Sequence, residues 1–358
     1  MNVMEGWKKL LIFLPLISGS VSGVWSDNSS TVIHVHPGES LQAAIDRASP
    51  GTTIVVESGE FRESLVIRQS GIRLIGMGAS QRGTILSNEG VDADTGITVT
   101  AEADGFELTG FLIRGFHQNG VQLTEVRNYA VTHNRLENNG EYGVFPLACT
   151  DGLIVDNIAI GHTDSGLYVG QSSHTRIIHN LVRENFKGIE VENSTDCAVV
   201  GNEATGNRMG ILVIALDLTP VANTERVIVT RNFVHGNPPA PASPEGAIPW
   251  GGILVVGADH VIVSDNLALA NRPYGIAVMR LPESLDRFDP ERPHLPDGNR
   301  ILGNIALNNG TTDPDVGGAN LFWDGTGEEN CWKDNLFVDE TGSSSVPPPE
   351  ALPVCPES

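Results

Sequence analysis

Residues 134–207 read NRLENNGEYGVFPLACTDGLIVDNIAIGHTDSGLYVGQSSHTRIIHNLVRENFKGIEVENSTDCAVVGNEATGN. Within them Asn134, Asn157, Asn180 and Asn202 recur at intervals of 23, 23 and 22 residues, each beside a short aliphatic run. Asn232, Asn266, Asn304 and Asn335 continue the column, and Gly110 holds the same slot 24 residues before Asn134. Five residues after the anchors stands a second column of Asn139, His162, Asn185, Asn207, Asn237, Asn271 and Asn309. A third column opens with Gly and continues in alternation, as in G-V-Q-L from Gly120, G-L-Y-V from Gly166, G-I-E-V from Gly188 and G-I-L-V from Gly210.

Each repeat thus holds three short period-two runs separated by turns. Runs of this length and spacing coil, each pairing in parallel with its counterpart one repeat later. The expected fold is all-β: a single-stranded, right-handed parallel β-helix of about ten rungs. The Asn columns are read as structural ladders, because stacked Asn side chains bond to those above and below and tolerate left-handed turns. Residues 35–48, with Leu41, Ala44, Ile45 and Ala48 on one stripe, supply a capping helix at the open N-terminal end. The helical body is expected over residues 31–340, followed by a Pro-rich tail, 341–358.

The 358 residues include 40 Gly and 44 Asp+Glu against 22 Lys+Arg, a net charge of −22. That excess disfavours nucleic acid, whose binding needs cations to displace counterions, and docking on anionic lipid. An acidic polysaccharide stays open, since a divalent cation could bridge two sets of carboxylates. Lys8 and Lys9, then an apolar run to Ile17, then small residues, read as a signal peptide over 1–23. No later segment is long and apolar enough to span a bilayer, so the protein is expected to be secreted or periplasmic. Export makes disulfides possible, and Cys331 and Cys355 are expected to pair. Cys149 and Cys197 fall two rungs apart, beyond the reach of a disulfide, and are expected as free thiols.

The period fails at residues 214–226, 238–250, 280–299 and 310–318, all flanking the Gly strands. Insertions gathered on one face of a solenoid mark its binding surface, so a groove is expected over the Gly-strand sheet. Positions two and four after each Gly face outward, and the most polar stretch carries Tyr168, Glu190 and Glu192, with Asp164, Lys187, Gln171 and Asn193 beside them. Two adjacent carboxylates repel, so one pKa rises or a cation settles between them. The first outcome gives a general acid/base; the second a Ca2+-type site of Glu190 and Glu192 with Asp164 or Asn193 oxygens. Candidate catalytic residues are Tyr168, Glu190, Lys187 and Asp164, with Tyr168 or Lys187 as base. Candidate substrate contacts are Phe145, Gln171, Trp250, Tyr274 and Arg280.

The repeat resembles the right-handed parallel β-helix (pectin-lyase-like) superfamily. More narrowly, D-S-G-L-Y-V-G-Q-S from Asp164, G-I-E-V-E-N-S from Gly188 and M-G-I-L-V from Met209 resemble an exported β-helix repeat family with motifs close to D-A-G-I-Y-V-G-Q-S, G-I-E-I-E-N-S and G-G-I-L-V. The resemblance implies a site at Asp164, Tyr168, Gln171, Glu190, Glu192 and Asn193, and a habit of handling long carbohydrate chains. The N-T-D, D-D and G-H-G segments of polygalacturonase-like hydrolases are absent. The R-x-P-x-x-R segment of pectate lyases lacks its second Arg in R-L-P-E-S-L from Arg280. The Y-G-x-D-P-H-type segment of alginate epimerases lacks its acid and His in Y-G-V-F-P-L from Tyr142. Three readings follow: a lyase or epimerase of acidic glycans, a non-catalytic glycan- or protein-binding module, or a periplasmic accessory protein like those of copper-enzyme maturation.

Overall fold

A computed structural model describes residues 31–357 apart from 217–220, 222, 239–249, 284, 286–293, 311–317, 340–341 and 344. The expected signal peptide, residues 1–23, lies outside the described residues, as does much of the four insertions. Three short runs per repeat become three parallel sheets. Among the described residues sheet A has 12 strands, from Val32–Val35 to Cys331–Lys333. Sheet B has 10, from Gly59–Phe61 to Ile305–Leu307, and sheet C has 11, from Leu65–Ile67 to Ser345–Val346. Neighbours in a sheet are one coil apart, so the chain is the expected parallel β-helix. Ile154, Ile177, Val199 and Val229 stack in register in sheet A with no exposure. They belong to one continuous apolar lumen.

The strands of sheets A and B are mostly three residues long, whereas those of sheet C reach six, as in Lys187–Glu192. Sheet C therefore offers the broad outer face. Its Gly column has a steric cause: a Cβ on Gly188 would stand 2.5 Å from the Gly210 carbonyl oxygen, so a side chain there would force the rungs apart.

Both Asn columns are ladders. Asn180 shows the unit: its Oδ1 accepts from Asn157 N at 2.8 Å and Asn157 Nδ2 at 3.0 Å. Its Nδ2 donates to the Ile154 carbonyl and to Asn202 Oδ1, each at 2.9 Å. The turn backbone, which no sheet can satisfy, is thereby paired in full view of the lumen. The left-handed residue is not the anchor but the one before it, such as Asp156 and His179, at φ 55° and 53°. That residue takes the bend so that the Asn side chain can point into the stack. A shorter ladder, not apparent in the repeat columns, runs along the turn after sheet C. There Cys149 N donates to Ser172 Oγ, Ser172 N to Ser194 Oγ and Ser194 N to Thr224 Oγ1, at 2.9, 3.0 and 3.3 Å.

His162 interrupts the second Asn ladder. It is 3% exposed, and its two ring nitrogens face the carbonyls of Asn139 and Leu136 at 3.1 and 3.2 Å. Burial pushes its pKa from 6.5 down to about 4, against the pull of the two carbonyls.

The helix Leu41–Asp46 caps the N-terminal end, burying Leu41, Ala44 and Ile45, with Ser40 accepting from Ala43 N. At the other end Ser345–Val346 pairs with sheet C, and Val354 bridges to Trp332 of sheet A. Cys331 and Cys355 form the expected disulfide, while Cys149 and Cys197 are free and buried. Among the described residues no helix is long and apolar enough to cross a membrane.

Asn180→Ala leaves several buried groups unpaired and should lower stability by about 3 kcal/mol in urea unfolding. Asn335→Ala, at the half-buried end of the column, should lose about 1 kcal/mol. Equal losses would show that the ladder does not act as a buried network. His162 has a lowered folded pKa, so the unfolded chain takes up its proton first. The stability it governs is full above pH 6.5 and falls as pH drops toward about 4. His162→Asn should therefore narrow the stability difference between pH 7 and pH 5, measured by urea unfolding; an unchanged difference counts against this account.

Candidate functional site

On the outer face of sheet C the strands Ser165–Gly170 and Lys187–Glu192 lie side by side, with Tyr168 opposite Glu190 and Gly170 opposite Glu192. Alternation sends Leu167, Val169, Ile189 and Val191 into the lumen, where they have no exposure. It sends Tyr168, Glu190 and Glu192 outward. Outward here is not exposed: Glu190 is 2% and Glu192 7% accessible. The residue immediately before each Gly also faces this surface, giving Tyr142, Ser165 and Lys187 in successive rungs.

Lys187 supplies the cation that the two glutamates need. Its Nζ lies 2.7 Å from Glu190 Oε2 and 2.7 Å from Asp164 Oδ1. Ser165 Oγ donates to Glu190 Oε2 at 2.5 Å, and Tyr142 OH donates to Asp164 Oδ2 at 3.1 Å. Among the described residues no ammonium pairs with Glu192; Tyr168 OH donates to its Oε1 at 3.0 Å. Gly170 makes that bond possible, since a Cβ there would stand 2.1 Å from the Tyr168 hydroxyl oxygen. Tyr168 stacks on Phe145 at 4.8 Å between centroids, and Tyr142 packs against both rings.

The electrostatics follow from burial. Glu192 is pushed up to about 7, first by burial and then by the charge of Glu190. Glu190 is also raised by burial, with Lys187 opposing. Burial alone would lower Lys187, but the carboxylates of Glu190 and Asp164 outweigh it and hold the ammonium protonated. Burial, followed by the Glu192 and Glu190 charges, drives the Tyr168 hydroxyl well above its ordinary range. The arrangement therefore contains a group, Glu192, that exchanges a proton near neutral pH.

The structure thus gathers Asp164, Tyr168, Lys187, Glu190 and Glu192, with Phe145 at their edge. Gln171 follows Gly170 in a left-handed turn, half-buried. Asn193 does not join the glutamates. Its amide exchanges bonds with the Leu216 backbone, donating at 2.6 Å and accepting at 2.9 Å, and it holds the turn after the strand. Among the described residues no three His, Cys, Asp or Glu side chains come together to hold a metal ion. Tyr142, Ser165 and Phe186 were not read as site residues. The signal for the first two was their slot before the Gly.

Further along sheet C the expected open groove is filled. Leu212, Leu254 and Ala277 continue the row of Tyr168 and Glu190, and none is more than 1% exposed. Met209, Trp250, Met279 and Leu281 pack with them in a second apolar cluster outside the lumen. Trp250 is 9% exposed and meets Phe186 edge-on at 5.2 Å; Tyr274 packs on Phe322 at 4.4 Å. Trp250 and Tyr274, two of the three aromatics expected to face a substrate, are occupied by packing. Arg280 is half-buried beyond this cluster, its backbone N–H bonded to Asp324 Oδ2 at 2.8 Å.

The family described as "Periplasmic copper-binding protein (NosD)" matches residues 45–237. No curated protein matches the chain. Among solved structures, an endo-xylogalacturonan hydrolase from Aspergillus tubingensis superposes with a TM-score of 0.65 at 14% identity, over 92% of this chain and 99% of that one. The A-module of the mannuronan C-5 epimerase AlgE6 from Azotobacter vinelandii gives 0.58 at 16% identity, over 89% and 95%. The Dettilon tailspike protein gives 0.56 at 15%, over 87% and 68%. These likenesses share the coil.

Removing one partner of a buried ion pair strands the other charge. Lys187→Met should lower stability by about 3–5 kcal/mol at pH 8. Glu190, raised further without the ammonium, would take up a proton in acid, so the deficit should shrink at pH 5. Arg183→Met, which removes an exposed pair with Glu184, should change stability by less than about 1 kcal/mol. A Lys187→Met deficit that is small, or independent of pH, would contradict the pairing.

Proposed function

The chain belongs to the periplasmic copper-binding protein (NosD) family, and from that premise we propose that it is an exported β-helix protein that handles a glycan on the outer face of sheet C, with Glu192 as the proton-transferring group. The observation that carries this is the buried pair Glu190 and Glu192 on one strand. Stacking the rungs requires aliphatic residues inside, not carboxylates under cover outside, and desolvating two adjacent acids opposes folding. Perturbed acids of this kind concentrate at functional sites. The family's description, the leader read in the sequence and the disulfide support a periplasmic or secreted location.

The sequence pointed to Tyr168 or Lys187 as base. Both are held protonated, so the role passes to Glu192, and Tyr168 positions it through the hydroxyl bond. A carboxylic acid with a pKa near 7 donates or accepts a proton at working pH. Lys187 is already shared by Asp164 and Glu190, so it has no charge left to offset a uronate. That favours a neutral glycan over the acidic one expected for a lyase or epimerase. The Phe145 ring supplies an apolar face for a sugar ring beside the acid.

Copper is a different chemistry. It selects thiolate, thioether and imidazole donors, whereas this cluster offers carboxylates, phenols and an ammonium. Cys149 and Cys197 sit in the lumen, and Met209 and Met279 lie in the apolar cluster. This cluster does not fit a copper site. A Ca2+ ion at Glu190 and Glu192 with Asp164 or Asn193 would have to displace the Lys187 ammonium from Glu190 and Asp164, or draw Asn193 from the Leu216 backbone.

A panel of neutral and acidic polysaccharides, scored for binding and reducing-end release, tests the proposal. The wild type should act on a neutral member with one limb of its pH profile near pH 7. Glu192→Gln, which keeps an acceptor for Tyr168, should lose about a hundredfold or more in rate while unfolding normally. Silence across the panel, or full activity of Glu192→Gln, would reject it.

A further inference from the structure

The outer face of sheet C changes character in one step. Val66, Thr98, Gln122 and Phe145 form one outward row over four successive rungs and are all partly exposed. Thr124 and Leu147, two residues further along their strands, are partly exposed as well. At the next rung Tyr168 falls to 5% exposure, and the row continues with Glu190 at 2%, Leu212 at 1%, and Leu254 and Ala277 at 0%. The surface is therefore open for four rungs, about 15–20 Å at the strand spacing, and closed for the next five. The closure is packed protein: Phe186, Trp250, Met209 and Leu281 lie in or against the apolar cluster above those rungs. Interiors of this kind admit no chain without unfolding part of the cover.

We infer that the face is a blind track, and that the protein engages the end of a glycan chain, not its interior. This rests on the glycan reading above. The open floor carries the hydroxyls and amide of Thr98, Thr124 and Gln122, and a cavity of about 630 Å³ lined by Arg68, Thr98, Thr100, Glu102 and Thr124 adjoins its far end. The Thr hydroxyls and the Gln122 amide bond to sugar hydroxyls without selecting charge, and Arg68 and Glu102 bring one charge of each sign. The track then meets the Phe145–Tyr168 stack, and Glu192 lies at the rung after Tyr168, bonded to its hydroxyl. A chain laid along the floor brings its terminal unit to the Phe145–Tyr168 stack, behind which Glu192 is bonded to the Tyr168 hydroxyl, and can go no further, because the covered rungs from Tyr168 to Ala277 stand in its line. A mid-chain segment would have to continue through that cover.

The test uses linear gluco-, xylo- and manno-oligosaccharides of increasing length, free at both ends or blocked at both, with the full-length exported protein. Free chains should yield one product of fixed size from the earliest times. Chains blocked at both ends should react at least about tenfold more slowly, a difference in barrier of 1.4 kcal/mol. Thr98→Arg, on the open floor away from the acid, should weaken binding of long members about tenfold and leave the shortest unchanged. Early mixtures of intermediate sizes, equal action on blocked chains, or a Thr98→Arg loss independent of length would overturn the blind track while leaving the glycan reading in place. Silence on every neutral and acidic glycan would overturn both.

Discussion

Everything in this molecule depends on keeping successive coils in register at their turns. Parallel strands of three residues have few ladder bonds with which to hold alignment, and a slip of one residue would turn every lumen side chain outward. The Asn ladders prevent it. Each Asn fixes its neighbour's backbone N–H and carboxamide and reaches back to a carbonyl, so a turn displaced by one residue would bury several unpaired polar groups. The ladders lie in the lumen wall, where water cannot substitute. They explain why the coil tolerates long insertions at other turns: register is set at the tight corners, and the loops beside sheet C are free to vary.

That division of labour creates the site. Because the ladders and the Gly column fix sheet C independently of its outer side chains, its outer face can carry residues that oppose folding. Glu190 and Glu192 are such residues. Their rungs are held from inside by Ile189 and Val191, and their charges are balanced from outside by Lys187, Ser165 and Tyr168. The apolar cluster over Leu212 and Leu254 removes water from one side of the pair, and the aromatic trio Tyr142, Phe145 and Tyr168 shields the other. The raised Glu192 pKa is thus a product of architecture, from strand alternation to the cover laid over it.

The coil was legible in the sequence because its causes repeat. Asn and Gly recur at one position per rung, and the phase of three columns assigns inside and outside. The location of the acid pair was legible for the same reason, as two outward slots of one strand. The roles within it were not. Lys187 pairs with Asp164 and Glu190 because the residue before Gly turns outward, a feature that strict alternation misses. The cover was not legible either. Trp250 and Tyr274 read as sugar platforms because aromatic residues beside a sheet are equally suited to packing, and only three-dimensional closure distinguishes the two. Asn193 sits in a motif shared with the glutamates, yet it serves the turn. Proximity in sequence does not say which way a side chain leaves the strand.

The ionisation of Glu192 joins the fold to the proposed chemistry, and it can be measured directly. Carbon-13 labelling of the Glu side chains, with the Glu192 carboxyl signal identified through Glu192→Gln, allows titration by magnetic resonance in the folded protein. The structure predicts a midpoint at about 7. A midpoint at the ordinary 4.5 would mean that the pair is neither desolvated nor coupled, and would contradict the account.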